Sequence, residues 1–185
     1  MTGRIASRRR VTRRREISAK DIAAADNRDS NTKGIEMTVQ LDDVARRWLS
    51  EPRFWVMGTL NGDGYPQLSP MWVGLEVIDG VERIVVDTSA GRVKEENLRR
   101  DPRLSLCCMD EENRYDRMEI RGRAIGFVAG REAVECMDRL ARKYLGTETF
   151  PWLVDGETRV MVVIEPDHIH RTVGVEPFRR SVALG

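Results

Sequence analysis

The chain has 185 residues, of which 41% are hydrophobic and 33% are charged, and its formal net charge is +1. This length suits one domain with a hydrophobic core, and this composition excludes a chain that is disordered throughout. The sequence contains no run of about 18 apolar residues, so we expect no insertion into a membrane.

The first 36 residues differ in charge from the rest. Residues 1–36 hold ten basic and five acidic side chains, whereas residues 37–185 hold 21 basic and 25 acidic ones. So polar a segment cannot bury enough apolar surface to fold by itself. We therefore predict a basic, disordered tail over 1–36 and one folded domain over 37–185. The acidic domain argues against a nucleic-acid-binding body, and contact of the tail with nucleic acid or an anionic surface stays open as an alternative.

From Met37 onward the hydrophobic pattern is regular and alternates strands with turns. Apolar residues at helical spacing predict a first helix that begins near Leu41 and ends before Pro52. A short helix from about Arg92 to Arg100 and a longer one over Glu132–Tyr144 lie between strands. The predicted strands are Phe54–Leu60, Tyr65–Val77, Glu82–Thr88, Arg103–Met109, Met118–Val128, Thr158–Glu165 and His168–Val173. Six or seven hairpin-linked strands predict a mainly β protein, a closed or partly closed antiparallel barrel with three short helices.

Prolines and a tryptophan mark the second predicted strand. Pro66 and Pro70 lack a backbone donor, so this strand must lie at a sheet edge or carry a bulge. The stretch Ser69–Trp72 thereby has backbone groups that are free to face a ligand, and Trp72 could lie against a planar ring. Ordinary packing of a bulged strand explains these residues equally well.

Residues 88–100 carry a pattern typical of phosphate binding. A strand ends in Thr88 and Ser89, and the short helix that follows has Arg92 and Lys94 in its first turn. Cations at a helix N-terminus are unfavourable by roughly 0.3–1 kcal/mol each. A bound phosphate would reverse this effect, because backbone N–H groups, hydroxyls and cations would all donate to it. The alternative is that both cations extend into solvent and pair with the acidic residues that follow.

Cysteines and histidines indicate no metal site. Cys107 and Cys108 are adjacent and Cys136 is distant, so no C-x-x-C pair exists. This pattern favours free thiols and a cytoplasmic location. His168 and His170 lie on one face of a predicted strand, but no third ligand accompanies them. We expect them at the surface or at the rim of the barrel.

Three stretches together resemble a known family. In chain order they are G-T-L with G-Y-P-Q-L-S-P-M-W, then D-T-S-A-G-R-V-K with N-L-R-R-D-P-R-L-S-L, and finally M-E-I-R-G-R-A. They are similar to the pyridoxine 5′-phosphate oxidase-like split barrels, and most similar to the branch that uses the deazaflavin coenzyme F420. The resemblance spans about Val39 to Val173.

The resemblance implies an antiparallel six-stranded split β-barrel that forms a homodimer, with the cofactor in a groove between the two copies. Carried over by position, it implies that Arg92 and Lys94 hold the cofactor phosphate and that the strand Ser69–Trp72 lies along the ring system. The implied cofactor-binding residues are Ser69, Pro70, Met71, Trp72, Thr88, Ser89, Arg92, Val93 and Lys94.

The activity that the resemblance implies is an F420-dependent oxidoreductase, which transfers a hydride between the reduced deazaflavin and an electron-poor small organic substrate. One alternative is an FMN-dependent oxidase or reductase of the same fold, and another is a non-catalytic module that binds a flavin or haem. The segment Glu176–Arg180 lacks the Trp- and Arg-containing end of the enzymes that oxidise pyridoxine phosphate, so we do not expect that substrate. The sequence names no catalytic side chain.

Overall fold

The computed structural model describes residues 39–174, which form an antiparallel sheet of seven strands with three helices. The strands are β1 (Trp55–Leu60), β2 (Pro66–Met71), β3 (Val73–Ile78), β4 (Val81–Ser89), β5 (Arg103–Met109), β6 (Arg117–Ala129) and β7 (Arg159–Thr172). The helices are α1 (Asp43–Ser50), α2 (Val93–Arg100) and α3 (Arg131–Leu145). The predicted mainly β, antiparallel fold with short flanking helices is confirmed. The predicted tail 1–36 and the segment Glu176–Arg180 lie outside the described residues.

The two edges of the sheet are neighbours in the chain. The strand order is β2-β1-β5-β6-β7-β4-β3, so that β2 and β3 are the outer strands, and Trp72 alone separates them. The predicted single strand Tyr65–Val77 is thus divided: its first part pairs with β1 and its second part with β4. This division adds one strand to the seven listed from the sequence pattern, and the fusion of the last two predicted strands removes one, so residues 39–174 hold seven strands where the resemblance implied six. The two prolines of β2 lie in an edge strand, as predicted.

The last two strands predicted from the sequence form one continuous strand, β7, in the structure. β7 runs continuously through the region where Thr158–Glu165 and His168–Val173 were expected as separate strands. The chain shows an irregularity there, since Pro166 pairs with Gly122 and His168 with Arg121, which leaves Asp167 as an extra residue. Such a bulge tolerates a proline inside a sheet. A Cβ on Gly122 would collide with the backbone oxygen of Glu165, so a glycine is required there.

The segments 83–89 of β4 and 159–164 of β7 are buried on both faces, which explains their runs of consecutive apolar residues. On one face their side chains join the main core, which also contains Ala45, Trp48 and Leu49 of α1. On the other face they pack against α3, which contributes Cys136 and Leu140. This second face also carries the connection between α3 and β7, residues 146–158, which we call the α3–β7 connection.

The cysteines, histidines and helices of residues 39–174 bear on the predictions about thiols, metals and membranes. Cys107, Cys108 and Cys136 are free, and His168 and His170 are exposed on β7. In the described part of the chain, no three metal-binding side chains come together. Among residues 39–174, no helix combines the length and apolarity that crossing a membrane requires.

Candidate functional site

A cavity of about 300 Å³ lies where the β2–β3 junction, the end of β4 and the start of α2 meet. Helix α3 and the α3–β7 connection form its other side. Of the nine residues that the sequence predicted to bind a cofactor, seven line this cavity: Pro70, Met71, Trp72, Thr88, Ser89, Arg92 and Lys94. The other two lie beside it, with Ser69 buried on β2 and Val93 exposed in the first turn of α2. The structure therefore brings residues that are distant in sequence together at one cavity.

Lys94 is a half-buried cation in the first turn of α2. Burial lowers its pKa, and the nearby positive charges of Arg92 and Arg159 lower it further. Within residues 39–174 its ammonium group has no hydrogen bond and no ion pair. A cation in this position is unfavourable for the helix, and an anion in the cavity would remove that penalty.

Arg92 is the N-cap of α2, and its side chain makes no capping hydrogen bond. Its guanidinium forms an ion pair with Glu157 of the α3–β7 connection at 3.3 Å. The acids of the first turn have other roles, because Glu95 is buried and accepts hydrogen bonds from the Gly91 N–H and from Arg99. In the described structure, pairing of Arg92 with its own helix, the alternative left open by the sequence, is therefore not observed.

A buried ion pair lies under the cavity. Nε of Arg159 donates to Oδ1 of Asp87 at 2.7 Å, Nη2 donates to the same oxygen, and Nη1 donates to the Ser89 hydroxyl at 3.0 Å. Both side chains are almost fully buried. Burial raises the pKa of Asp87 to about 7, although the charge and hydrogen bonds of Arg159 act in the opposite direction. This pair fixes the guanidinium beside the cavity.

The two hydroxyl groups at the end of β4 differ. Ser89 donates to the carboxylate of Glu157, so its hydroxyl already has an acceptor. The Thr88 hydroxyl is buried and has no hydrogen-bond partner within residues 39–174. Leaving a buried hydroxyl unpaired costs roughly 1–3 kcal/mol. A ligand oxygen in the cavity that Thr88 lines would satisfy it.

Aromatic rings form the other wall of the cavity. Trp72 stacks on Tyr144 with a centroid distance of 5.1 Å and an interplanar angle of 4°. Phe150 meets Trp72 edge to face at 6.0 Å, and Trp152 meets Phe150 in the same way at 5.5 Å. The Tyr144 hydroxyl accepts from the Val73 N–H at 3.1 Å. Trp72 is thereby held at the β2–β3 junction, where its ring can contact a planar ligand.

The lining residues that sequence reasoning missed include Asp87, Phe150, Trp152 and Arg159. The charged residues Asp87 and Arg159 stand next to apolar runs in β4 and β7, which is a sign of a buried pair. Their proximity depends on strand register, since Ser89 pairs with Arg159 in the ladder. The two aromatic residues lie in an irregular connection and follow no periodic pattern.

Comparisons with known proteins agree with this architecture. A profile of the family described as pyridoxamine 5′-phosphate oxidase matches residues 41–172. An F420 reductase is 23% identical with a TM-score of 0.60, and the match covers 70% of this chain and 98% of that chain. The protein Atu2129 from Agrobacterium tumefaciens str. C58, of unknown function, is 17% identical with a TM-score of 0.52, covering 78% and 64%.

A third solved structure, the conserved hypothetical protein Rv2991 from Mycobacterium tuberculosis, is 25% identical with a TM-score of 0.49, covering 76% of this chain and 89% of that chain. A search of curated proteins gave no match. At these identities the structural matches with the F420 reductase and Atu2129 show a common fold.

Proposed function

The chain belongs to the pyridoxamine 5′-phosphate oxidase family, and on that premise we propose that it is an oxidoreductase that uses coenzyme F420. In this proposal a hydride passes between the reduced deazaflavin and an electron-poor small organic substrate. The observation that carries the proposal is that two unsatisfied donors line the same cavity. Lys94 has no anionic partner among the described residues, and the Thr88 hydroxyl has no hydrogen-bond partner among them.

The residues present fit a cofactor that has a phosphate and a flat ring system. Lys94, Arg92 and Thr88 would hold the phosphate, because a phosphate accepts charge-assisted hydrogen bonds from this donor set. The stretch Pro70–Trp72 would lie along the ring, with Phe150 packed against Trp72 on the same wall. A cavity of about 300 Å³ is at the small end for ligand pockets, so a whole cofactor would extend beyond it.

The protein's part in the reaction is binding, orientation and exclusion of water. The bound deazaflavin would supply the hydride chemistry. The Asp87–Arg159 pair keeps one guanidinium rigid beside the phosphate donors, and the stacked Trp72 and Tyr144 fix the ring wall. We assign no side chain as proton donor.

Two findings favour F420 over FMN in this proposal. The sequence stretches quoted above are most similar to the deazaflavin-using branch of the family, and an F420 reductase shares the fold. We also propose that two copies of the chain form a homodimer and complete the cofactor groove together. Phe54 and Trp152, both mostly exposed at the rim of the cavity, are residues that a second copy would cover.

The test is a binding titration of the purified protein with coenzyme F420, FMN and haem. We expect saturable binding of F420, weaker binding of FMN, and a lower F420 affinity in Lys94→Gln. Tighter binding of FMN than of F420 would instead support the FMN-dependent alternative. Binding of haem alone would support the non-catalytic alternative, and binding of none of the three would contradict the proposal.

A further inference from the structure

We propose that Glu157 is an internal competitor for the anion site of this cavity. Its carboxylate occupies Arg92, one of the proposed phosphate donors, together with the neighbouring donors Ser89 and Arg159, and phosphate binding displaces it. Glu157 would thereby lower the affinity for the ligand and influence which phosphate group is accepted. This inference rests on the proposed function for the identity of the ligand, but the anion site itself can be tested without any cofactor.

Three donors from separate parts of the chain converge on this carboxylate. The Ser89 hydroxyl and Nη2 of Arg92 both contact Oε1, the latter at 3.3 Å. Nη1 of Arg159 lies 3.6 Å from Oε2. A bound phosphate or carboxylate is typically surrounded by donors of this kind, here one hydroxyl and two guanidinium groups. These contacts lower the pKa of Glu157, and the Ser89 hydrogen bond is the largest cause.

Two of the three donors are held by contacts that do not involve Glu157. Arg159 is fixed by Asp87, which receives two hydrogen bonds from it. Ser89 is the last residue of β4 and pairs in the ladder with Arg159. Arg92 is held through its backbone as the N-cap of α2, and its exposed guanidinium can turn toward another anion. If the carboxylate leaves, Arg159 and Ser89 therefore remain as ordered donors, with Arg92 beside them.

Displacement of Glu157 requires movement of its side chain only. The adjacent backbone is held, because the Ala90 N–H donates to the Thr158 carbonyl at 2.9 Å and the Glu157 N–H donates to the Val154 carbonyl at 3.0 Å. The side chain is 16% exposed, so it borders on solvent. A rotation outward would hydrate the carboxylate while the α3–β7 connection stays in place.

Charge gives this residue a role in selectivity. The displaced carboxylate stays near the site because its backbone is held, and the Coulomb energy between it and a phosphate is proportional to the phosphate charge. A phosphomonoester carries between one and two negative charges near neutral pH, whereas a phosphodiester carries one. Glu157 therefore disfavours a monoester such as FMN more than a diester such as coenzyme F420.

A purely structural ion pair is the opposing explanation. In that case Glu157 orders Ser89 and Arg92, and its loss would disorder the site and weaken anion binding. Both explanations predict some loss of stability in the ligand-free protein. The sign of the change in anion affinity separates them.

The experiment compares Glu157→Gln with wild type and with Glu148→Gln. Glu148 is a matched control, because it lies in the same connection, pairs with Arg142 at 3.0 Å and is 89% exposed. Each protein is titrated with coenzyme F420, with its phosphate-free deazariboflavin core, with FMN, with riboflavin and with inorganic phosphate. Glu157→Asp, which keeps the charge but shortens the side chain, serves if the Gln variant does not fold.

We expect Glu157→Gln to bind F420 about tenfold more tightly, equivalent to roughly 1.4 kcal/mol, with a larger gain for FMN. Inorganic phosphate should also bind more tightly, whereas the two phosphate-free ligands and the Glu148→Gln variant should show no gain. For Glu157→Asp we expect a smaller gain. Unchanged or weaker binding of all phosphate ligands would overturn the inference. If only inorganic phosphate shows the gain, and wild type binds neither cofactor, the inference stands and the proposed function fails.

Discussion

Arg159 donates two hydrogen bonds to one carboxylate oxygen of Asp87, while the other oxygen, Oδ2, is buried with no partner within residues 39–174. The arrangement is asymmetric for a carboxylate, which normally accepts bonds on both oxygens when buried. Burial of the carboxyl group raises the pKa of Asp87 to about 7, even beside a guanidinium. The pair is therefore sensitive to pH in the physiological range.

We predict that Asp87→Asn removes part of the pH dependence of stability. Asp87 has an ordinary pKa of 3.8 in the unfolded chain and a raised one in the folded protein. As pH rises from about 4 to about 7, the unfolded state loses its proton first and gains stability relative to the folded state. Thermal melts should show that the wild-type free energy of unfolding falls over this range relative to that of the variant, with no further change above it.

Asp101 provides the control for this measurement. Its pKa is lowered to about 2 by hydrogen bonds from Arg103, so its stabilising effect is lost only when pH falls below the ordinary range of an aspartate. Asp101→Asn should leave the slope between pH 5 and pH 7 as in wild type. A slope in Asp87→Asn equal to that of wild type would contradict the prediction.

Removing Lys94 should weaken ligand binding without loss of stability. Lys94→Ala should reduce the affinity for the phosphate-bearing cofactor by about 1.5–3 kcal/mol, the usual value of a hydrogen bond to a charged group. The ligand-free protein should be as stable or slightly more stable, because a half-buried cation has left the start of α2. Fluorescence titrations and ligand-free melts measure both quantities.

Arg92→Lys tests the same site, and Arg131→Ala is its control. Lysine cannot reproduce the two-pronged contact of a guanidinium, so we expect weaker binding in Arg92→Lys. Arg131 is the first residue of α3 and is 89% exposed. Its removal should leave the affinity unchanged, and equal affinities in all of these proteins would refute the phosphate assignment.

Tyr144→Phe should destabilise the β2–β3 junction while keeping the aromatic stack. The lost hydroxyl accepts from the Val73 N–H at 3.1 Å and donates to the Arg53 carbonyl at 2.8 Å. Leaving the Val73 N–H and the Arg53 carbonyl without this partner should lower the free energy of unfolding by about 1–3 kcal/mol. Chemical denaturation would detect this change. Tyr115→Phe, a change at an exposed loop residue, should have almost no effect. The same loss of stability in both variants would contradict a specific role of Tyr144.

The homodimer is tested by light scattering on dilute protein. We expect a mass twice that of the chain, because barrels of the kind that the sequence resembles build their cofactor groove from both copies. Cofactor binding should be lost where dilution dissociates the dimer. A monomer that binds the cofactor with unchanged affinity would rule this proposal out.

The sequence predicted the side of the cavity formed by the end of β4 and the start of α2 because its signals are local. Hydroxyl residues at the end of a strand, a glycine and a helix with misplaced cations stand within a few positions of one another. It did not predict the break at Trp72. Apolar residues continue through this position, and the chain divides there because each half finds a different partner, β1 for one and β4 for the other.

The other side of the cavity depends on contacts between distant residues. Asp87 and Arg159 meet only when β4 and β7 pair in the observed register. Phe150 reaches the cavity through an irregular connection, where the Asp138 carboxylate accepts its backbone N–H at 2.8 Å. Neither contact leaves a periodic trace in the sequence, so pattern reasoning could place the helix α3 but not the residues that follow it.

The position of β7 in the sheet also determines when the protein can fold. The last strand of residues 39–174, β7, lies between β6 and β4, so it joins β2-β1-β5-β6 to β4-β3. Its pairing with β4 closes a loop of about 70 residues, and such long-range pairing slows folding. During synthesis, β4 and β6 would have exposed edges until β7 leaves the ribosome, and unpaired edges favour aggregation. The sheet and the cavity can therefore form only after β7, the strand that contains Arg159, has been synthesised.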